Sequence, residues 1–293
     1  MKVFVLLCLL VSFNSNGQEL YRLSQYSMNS TLYSPALSAF NSGMQFTMIG
    51  RKQWANVPGA PMTGIFTGSS QVNGSKLYVN GFVLSDRFSV YDRTVAALGL
   101  CYKLTLNSEN YLSVGLSGGF NADQVDLSRA KYNLADDQLG FSLVSVVNPL
   151  FGSSIAFGNT GLNLTASIGI QDVLFRKNVF AYLNKSFVLS TDGELQTSVL
   201  YKNSLNTGRY QLDLNALYMY RKMIGLGIGF RNTSELVLSA RFNVGSKFQF
   251  GYSYDMSFGK LNALSGHELF LRMQLPSRSK GGLHGTGYTN PLI

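Results

Sequence analysis

Lys247-Phe248-Gln249-Phe250-Gly251-Tyr252-Ser253-Tyr254-Asp255-Met256 alternates without a break. Phe248, Phe250, Tyr252, Tyr254 and Met256 fall on one side of an extended chain, and Lys247, Gln249, Gly251, Ser253 and Asp255 fall on the other. A period of two marks a strand with two unlike faces. Glu268-Leu269-Phe270-Leu271-Arg272-Met273-Gln274-Leu275 repeats the pattern, with Phe270 alone out of step. Such strands suit two settings. Either the apolar face covers a protein core and the polar face meets bulk water, or the apolar face meets lipid and the polar face lines a barrel interior.

Composition favours lipid. Of the 293 residues 45% are hydrophobic and only 13% charged, against about a quarter charged in soluble domains. No apolar run of about 18 residues lies beyond the amino terminus, so membrane-spanning helices are excluded and the hydrophobicity is spread over short segments. Residues 1–17 read as a secretory signal: Lys2, an apolar run from Val3 to Phe13, then Ser15-Asn16-Gly17, which makes Gln18 the expected first mature residue. Leu7 before Cys8 does not fit a lipoprotein anchor. Cys101 is then the one mature cysteine, which rules out an intrachain disulfide. The net charge of +9 comes from basic residues dispersed along the chain, not from a patch of the kind that binds nucleic acid.

After a leader rich in Ser, Asn and Tyr (residues 18–42), two-residue alternation hardly stops. It runs through Met44, Phe46 and Met48; Leu98, Leu100, Tyr102 and Leu104; Leu112, Val114 and Leu116; Leu162 to Ile170; Leu195 to Tyr201; Leu212 to Ala216; and Leu236 to Phe242. With weaker candidates at 62–71, 151–158, 177–189 and 222–230, the expectation is an all-β transmembrane antiparallel barrel of about fourteen strands over residues 43–275. An irregular leader or plug precedes it and a flexible periplasmic tail (276–293) follows. Even-numbered connections are short and rich in Asn, Gly, Ser and Asp, as periplasmic turns are. Odd-numbered ones are longer, with 85–92 and 121–150 among them. An even strand count returns the chain to its starting side, so both termini are expected in the periplasm of an outer-membrane protein. A soluble propeller would need a blade repeat, and none is visible.

No catalytic, metal or cofactor constellation emerges. His267 and His284 are the only histidines, and no second histidine stands at helical spacing from His267, so there is no zinc-protease motif. Ser265, His267 and Glu268 cannot form a relay, because strand neighbours point to opposite faces. The glycines alternate within strands, where they mark bends or close packing. Inward Lys103, Asp213, Arg241, Asp255, Glu268 and Arg272 either line a pore or pair with one another. Inward Tyr78, Val237 and Phe270 favour a filled lumen.

Three stretches resemble the PorP/SprF family of type IX secretion and gliding systems. Leu23-Ser24-Gln25-Tyr26-Ser27-Met28-Asn29-Ser30-Thr31-Leu32-Tyr33-Ser34-Pro35-Ala36 is similar to the family's F-S-Q-Y-M-x-N-P-x-x-Y-N-P-A. Arg51-Lys52-Gln53-Trp54 with Pro58-Gly59-Ala60-Pro61-Met62-Thr63 is similar to its R-x-Q-W and G-A-P-x-T blocks, and Tyr252-Ser253-Tyr254-Asp255 with Gly266-His267-Glu268 to its closing Y-S-Y-D and S-H-E. Ser30, Ser34 and Gly266 depart from the pattern, and the chain runs on past Leu275, where members usually stop on an aromatic residue. The resemblance implies a non-enzymatic, cofactor-free barrel surrounded by outer-membrane lipid. Its implied partners are type IX components, adhesins bearing a carboxy-terminal sorting domain, and periplasmic ring or motor proteins, with no nucleic acid. The partner-binding candidates it implies are Gln25, Tyr26, Asn29, Tyr33, Pro35, Arg51, Gln53, Trp54, Gly59, Ala60 and Pro61. A diffusion porin or hydrophobic-substrate channel is the alternative.

Overall fold

The computed structural model describes residues 22–41, 43–54, 57–129, 143–232, 235–258 and 265–276. The signal segment and all of the tail beyond Pro276 lie outside these residues. Fourteen strands form a closed antiparallel barrel: β1 (Met44–Gln53), β2 (Met62–Gln71), β3 (Leu77–Phe88), β4 (Tyr91–Thr105), β5 (Asn110–Asp126), β6 (Leu143–Asn159), β7 (Leu164–Gln171), β8 (Asn178–Val188), β9 (Gly193–Ser204), β10 (Arg209–Tyr220), β11 (Ile224–Arg231), β12 (Glu235–Val244), β13 (Phe248–Ser257) and β14 (Gly266–Leu275). Every strand pairs with its sequence neighbour. The ring closes where β1 meets β14, from Met44 opposite Leu275 to Gln53 opposite Gly266. Closure leaves no unpaired edge, the condition for crossing a membrane with strands.

The two-residue period divides the faces as expected. Leu98, Leu100, Leu116, Leu226 and Leu269 project outward and are exposed, while Thr47, Arg51, Asp213, Arg241, Asp255 and Glu268 point inward and are buried. The first group is what a strand facing lipid would present. Something inside the barrel must account for the second.

Two of the expected long connections are shorter. β3 and β4 continue to Phe88 and Tyr91, leaving only Ser89 and Val90 between them, and β5 and β6 are both 17 residues long. At this end apolar alternation gives way to charge although the hydrogen-bond ladder continues. Arg87–Asp92, Arg129–Asp92, Arg93–Asp123 and Arg176–Asp123 pair across it, and charge without apolar alternation looks in the sequence like a loop. The hairpin of β5 and β6 still has the longest connection, so the odd-numbered end remains the loop end.

Inside the barrel lies the leader. It forms two short 3-10 turns, Tyr26–Leu32 and Pro35–Phe40, the second begun by Pro35 after an extended Ser34. Pro fits there because a first-turn residue needs no backbone donor. Leu23, Tyr26, Leu32, Tyr33, Ala36 and Leu37 are almost fully buried, and they pack with inward Ile49, Ile65, Leu84, Val95, Phe180 and Leu200 as one apolar core.

Candidate functional site

Two short turns satisfy only part of the leader's backbone, and a lumen packed with side chains offers little water, so the wall must supply the remaining partners. At residues 22–25 charged groups do so. Glu268 is fully buried and accepts both the Ser24 and Gln25 N–H at 2.8 Å. Arg51 Nη1 donates to Ser24 Oγ at 2.8 Å and reaches Glu268 at 3.3 Å, while its Nη2 pairs with Asp255. Arg231 donates to the Leu23 carbonyl at 3.0 Å and is ion-paired to Asp213 and Glu235, both at 2.5 Å. Arg22 joins through Glu235 at 2.7 Å, and Lys202 lies 3.8 Å from Asp213. Each buried acid of this cluster thus meets at least one cation, which is what makes a desolvated charge tolerable.

Most of these wall groups sit within three residues of the loop-side end of their strands. Met44, where the leader joins β1, lies at the other end. The leader therefore crosses the lumen lengthwise, and Arg22 and Pro276 stand at opposite ends of the barrel. The strand-parity argument covers only the strands. It misses this extra crossing, which is why the first and last described residues do not share a side as expected.

At Pro35–Phe40 the grip is neutral. Ser154 Oγ accepts the Ala36 N–H at 2.9 Å, Ser113 Oγ donates to the Ala36 carbonyl at 2.9 Å, and Asn80 Nδ2 bonds Ser38 Oγ at 3.2 Å. Ser34 and Ser167 share a hydroxyl bond of 2.6 Å, and Asn41 donates to Ser69. Two glycines make room: a Cβ on Gly115 would lie 2.4 Å from Ala36 N, and one on Gly158 would lie 2.3 Å from the Phe40 ring. Lys103 lies over the rings of Phe40 and Tyr111, at 5.4 and 4.3 Å.

The residues singled out from sequence fall into two groups. Gln25, Tyr26, Asn29, Tyr33, Pro35, Arg51 and Gln53 are all buried in the lumen. Tyr26 donates to the Ser198 carbonyl at 2.8 Å, and Tyr33 packs on Phe180 at 5.4 Å. Trp54, Gly59, Ala60 and Pro61 lie instead at the loop-side rim. There Trp54 meets Phe88 edge to face at 6.2 Å, and the Gly59 carbonyl accepts the Ser89 N–H at 3.0 Å, tying the first connection to the tip of the second hairpin. His267 is also near this rim, bonded to the Tyr252 hydroxyl at 2.7 Å on the outer face, opposite to Glu268. Arg231, Ser24, Ser113, Ser154, Gly115 and Gly158 were not among the candidate site residues. Only the inward glycines left a signal, as gaps in the polar face too small for water-lining side chains.

Among solved structures the chain is similar to barrels. One is the CymD monoaromatic hydrocarbon channel (9% identity, TM-score 0.49, covering 89% of this chain and 95% of that one). Another is a Pseudomonas aeruginosa FadL homologue (11%, 0.47, 87% and 94%), and a third is the KdgM porin in complex with disordered oligogalacturonate (8%, 0.44, 79% and 99%). No curated protein matches the chain. Residues 15–273, spanning the leader, the luminal network and nearly all of the barrel, match the family described as type IX secretion system membrane protein PorP/SprF, and the chain belongs to that family.

Proposed function

We propose that this outer-membrane barrel is a non-enzymatic docking component of the type IX machinery. In this reading it helps export or hold adhesins that carry a carboxy-terminal sorting domain, and it contacts periplasmic ring or motor proteins from its turn side. One observation carries the reading: the lumen is occupied along its length by the chain's own leader, bonded at both ends, which suits a scaffold better than a conduit. The luminal motif residues Gln25, Tyr26, Asn29, Tyr33, Pro35, Arg51 and Gln53 then act by holding the leader in place. In the same reading Trp54, Gly59, Ala60 and Pro61 touch a partner at the rim, supported by the general rule that an aromatic on a braced loop makes an effective anchor. In planar bilayers the intact protein is expected to show no steady large conductance, and removal of residues 22–41 is expected to open one. Steady conductance from the intact protein would instead support the porin reading.

The same proposal places the loop end outside the cell and the turns in the periplasm. A cysteine replacing Asn206 should react with an impermeant thiol reagent on whole cells, and one replacing Asp192 should not. The reverse pattern would invert the assembly and sink the assignment of partners to faces.

A further inference from the structure

Buried arginines are treated differently in the two halves of the lumen. On the loop side Arg51 and Arg231 each meet two or more carboxylates. In the turn-side half, beneath the turn Tyr26–Leu32, Arg241 and Arg272 face a cavity of about 60 Å³, and no Asp or Glu among the described residues lines it. Arg241 is 5% exposed and Arg272 6%. Their hydrogen-bond acceptors are all neutral: Gln196 Oε1 at 3.1 Å for Arg241, and Thr47 Oγ1 at 3.3 Å, Gln249 Oε1 at 3.5 Å and the Met28 carbonyl for Arg272. Glu194 accepts from the same Gln196, through Nε2 at 3.1 Å, and forms no ion pair with Arg241 or Arg272 among the described residues.

The residues that line the cavity also carry buried polar atoms with no partner within the protein. Arg241 Nε, Gln45 Nε2 and both side-chain heteroatoms of Asn29 are among them, and so is Thr165 Oγ1. All four residues are at least nine-tenths buried. The set is rich in donors. A ligand that completes it must therefore bring acceptors, and two buried guanidinium groups without an ion-pair partner ask for a negative one, since an uncompensated buried charge is strongly destabilising. The volume is several times the roughly 10–15 Å³ that admits one water, which leaves room for the head of a single oxyanion. Arginine is suited to such groups because its fork of donors matches carboxylate and phosphate oxygens.

From this geometry we propose that the turn-side lumen is a binding site for one oxyanion, a carboxylate or a phosphate group, held between Arg241 and Arg272 with Asn29 and Gln45 as neutral donors. Because residues 22–26 and their ion pairs occupy the loop side, the ligand enters from the turns. The site would couple that face to the leader, since Arg272 and Asn29 belong to both. It does not depend on the docking reading, and its failure would leave that reading standing.

Calorimetric titration of the intact purified barrel tests it, with sodium phosphate, sodium acetate and a short peptide with a free carboxy terminus as probes. Sodium chloride at matched ionic strength and the amidated peptide serve as controls. Saturable binding to phosphate or acetate is expected, at least tenfold weaker in Arg241→Gln, severalfold weaker in Asn29→Ala, and unchanged in Arg87→Gln, whose side chain is exposed. Asn29→Ala leaves every charge in place and so keeps the test decisive if Arg241→Gln does not fold. Preference for the free over the amidated peptide identifies a protein carboxy terminus as the source, and phosphate binding alone identifies a phosphate group. Heats indistinguishable from chloride, or undiminished affinity in the folded variants, would mean that the cavity holds only water and would overturn the proposal.

Discussion

Residues 22–25 are held by carboxylates and guanidinium groups, whereas Pro35–Phe40 is held by serine hydroxyls, an asparagine and the space above two glycines. Both segments cross the same lumen and both lack regular sheet or α-helical bonding. The difference lies in what happens when one partner is lost. An ionic anchor fails steeply, because a deleted charge strands its counter-charge in a dry interior, while a hydroxyl anchor fails gradually. The leader therefore has one end that a single event can release and one end that holds through many small contacts.

The largest effect is expected from Glu268→Ala, which strips both N–H groups of their acceptor and leaves Asp255 as the one carboxylate on Arg51 among the described residues. Removing one partner of a buried ion pair costs about 3–5 kcal/mol. Limited proteolysis should cut near residues 22–25 while residues 35–40 stay protected. Protection of both would show that charge is not what holds the first end. Gly115→Val should cost about 1–3 kcal/mol through overpacking against Ala36, displacing the second segment and lowering the urea midpoint of the barrel. If it also frees residues 22–25, the two grips are one cooperative unit and the contrast drawn above dissolves. Ser154→Ala should be mildest, at about 1 kcal/mol for one hydrogen bond. A larger loss of urea stability would mean that the hydroxyl end is as brittle as the ionic one.

The outer face was legible in the sequence because lipid imposes one demand at every second residue, and Leu98, Leu116 and Leu269 answer it. The inner face was legible only as polar. Whether Asp255 and Glu268 meet water or arginine depends on what fills the lumen, and alternation carries no information about that. Arg231 was missed because β11 is short and its last residue resembles a connection, although it is among the largest fully buried side chains. The hairpins β3–β4 and β5–β6 were cut short in the reading for a related reason. Beyond the lipid belt the ladder persists without apolar residues to mark it. The motif residues from Gln25 to Gln53 stand out in the sequence only by resemblance, and their burial in the lumen is seen only with the barrel closed around them.

Because the leader is continuous with β1 and runs the length of the lumen, the molecule resembles a needle carrying its own thread. That fixes the order in which it can be assembled. Either the leader lies along the growing sheet before Met44 zips to Leu275, or it must afterwards be passed through a bore narrowed by Tyr78, Val237 and Phe270. In the first case the seam between β1 and β14 is the last contact made, and the wall is wrapped around its contents instead of being filled later. A disulfide that locks the seam before the leader has docked would separate the two routes, since only the second could still deliver the thread.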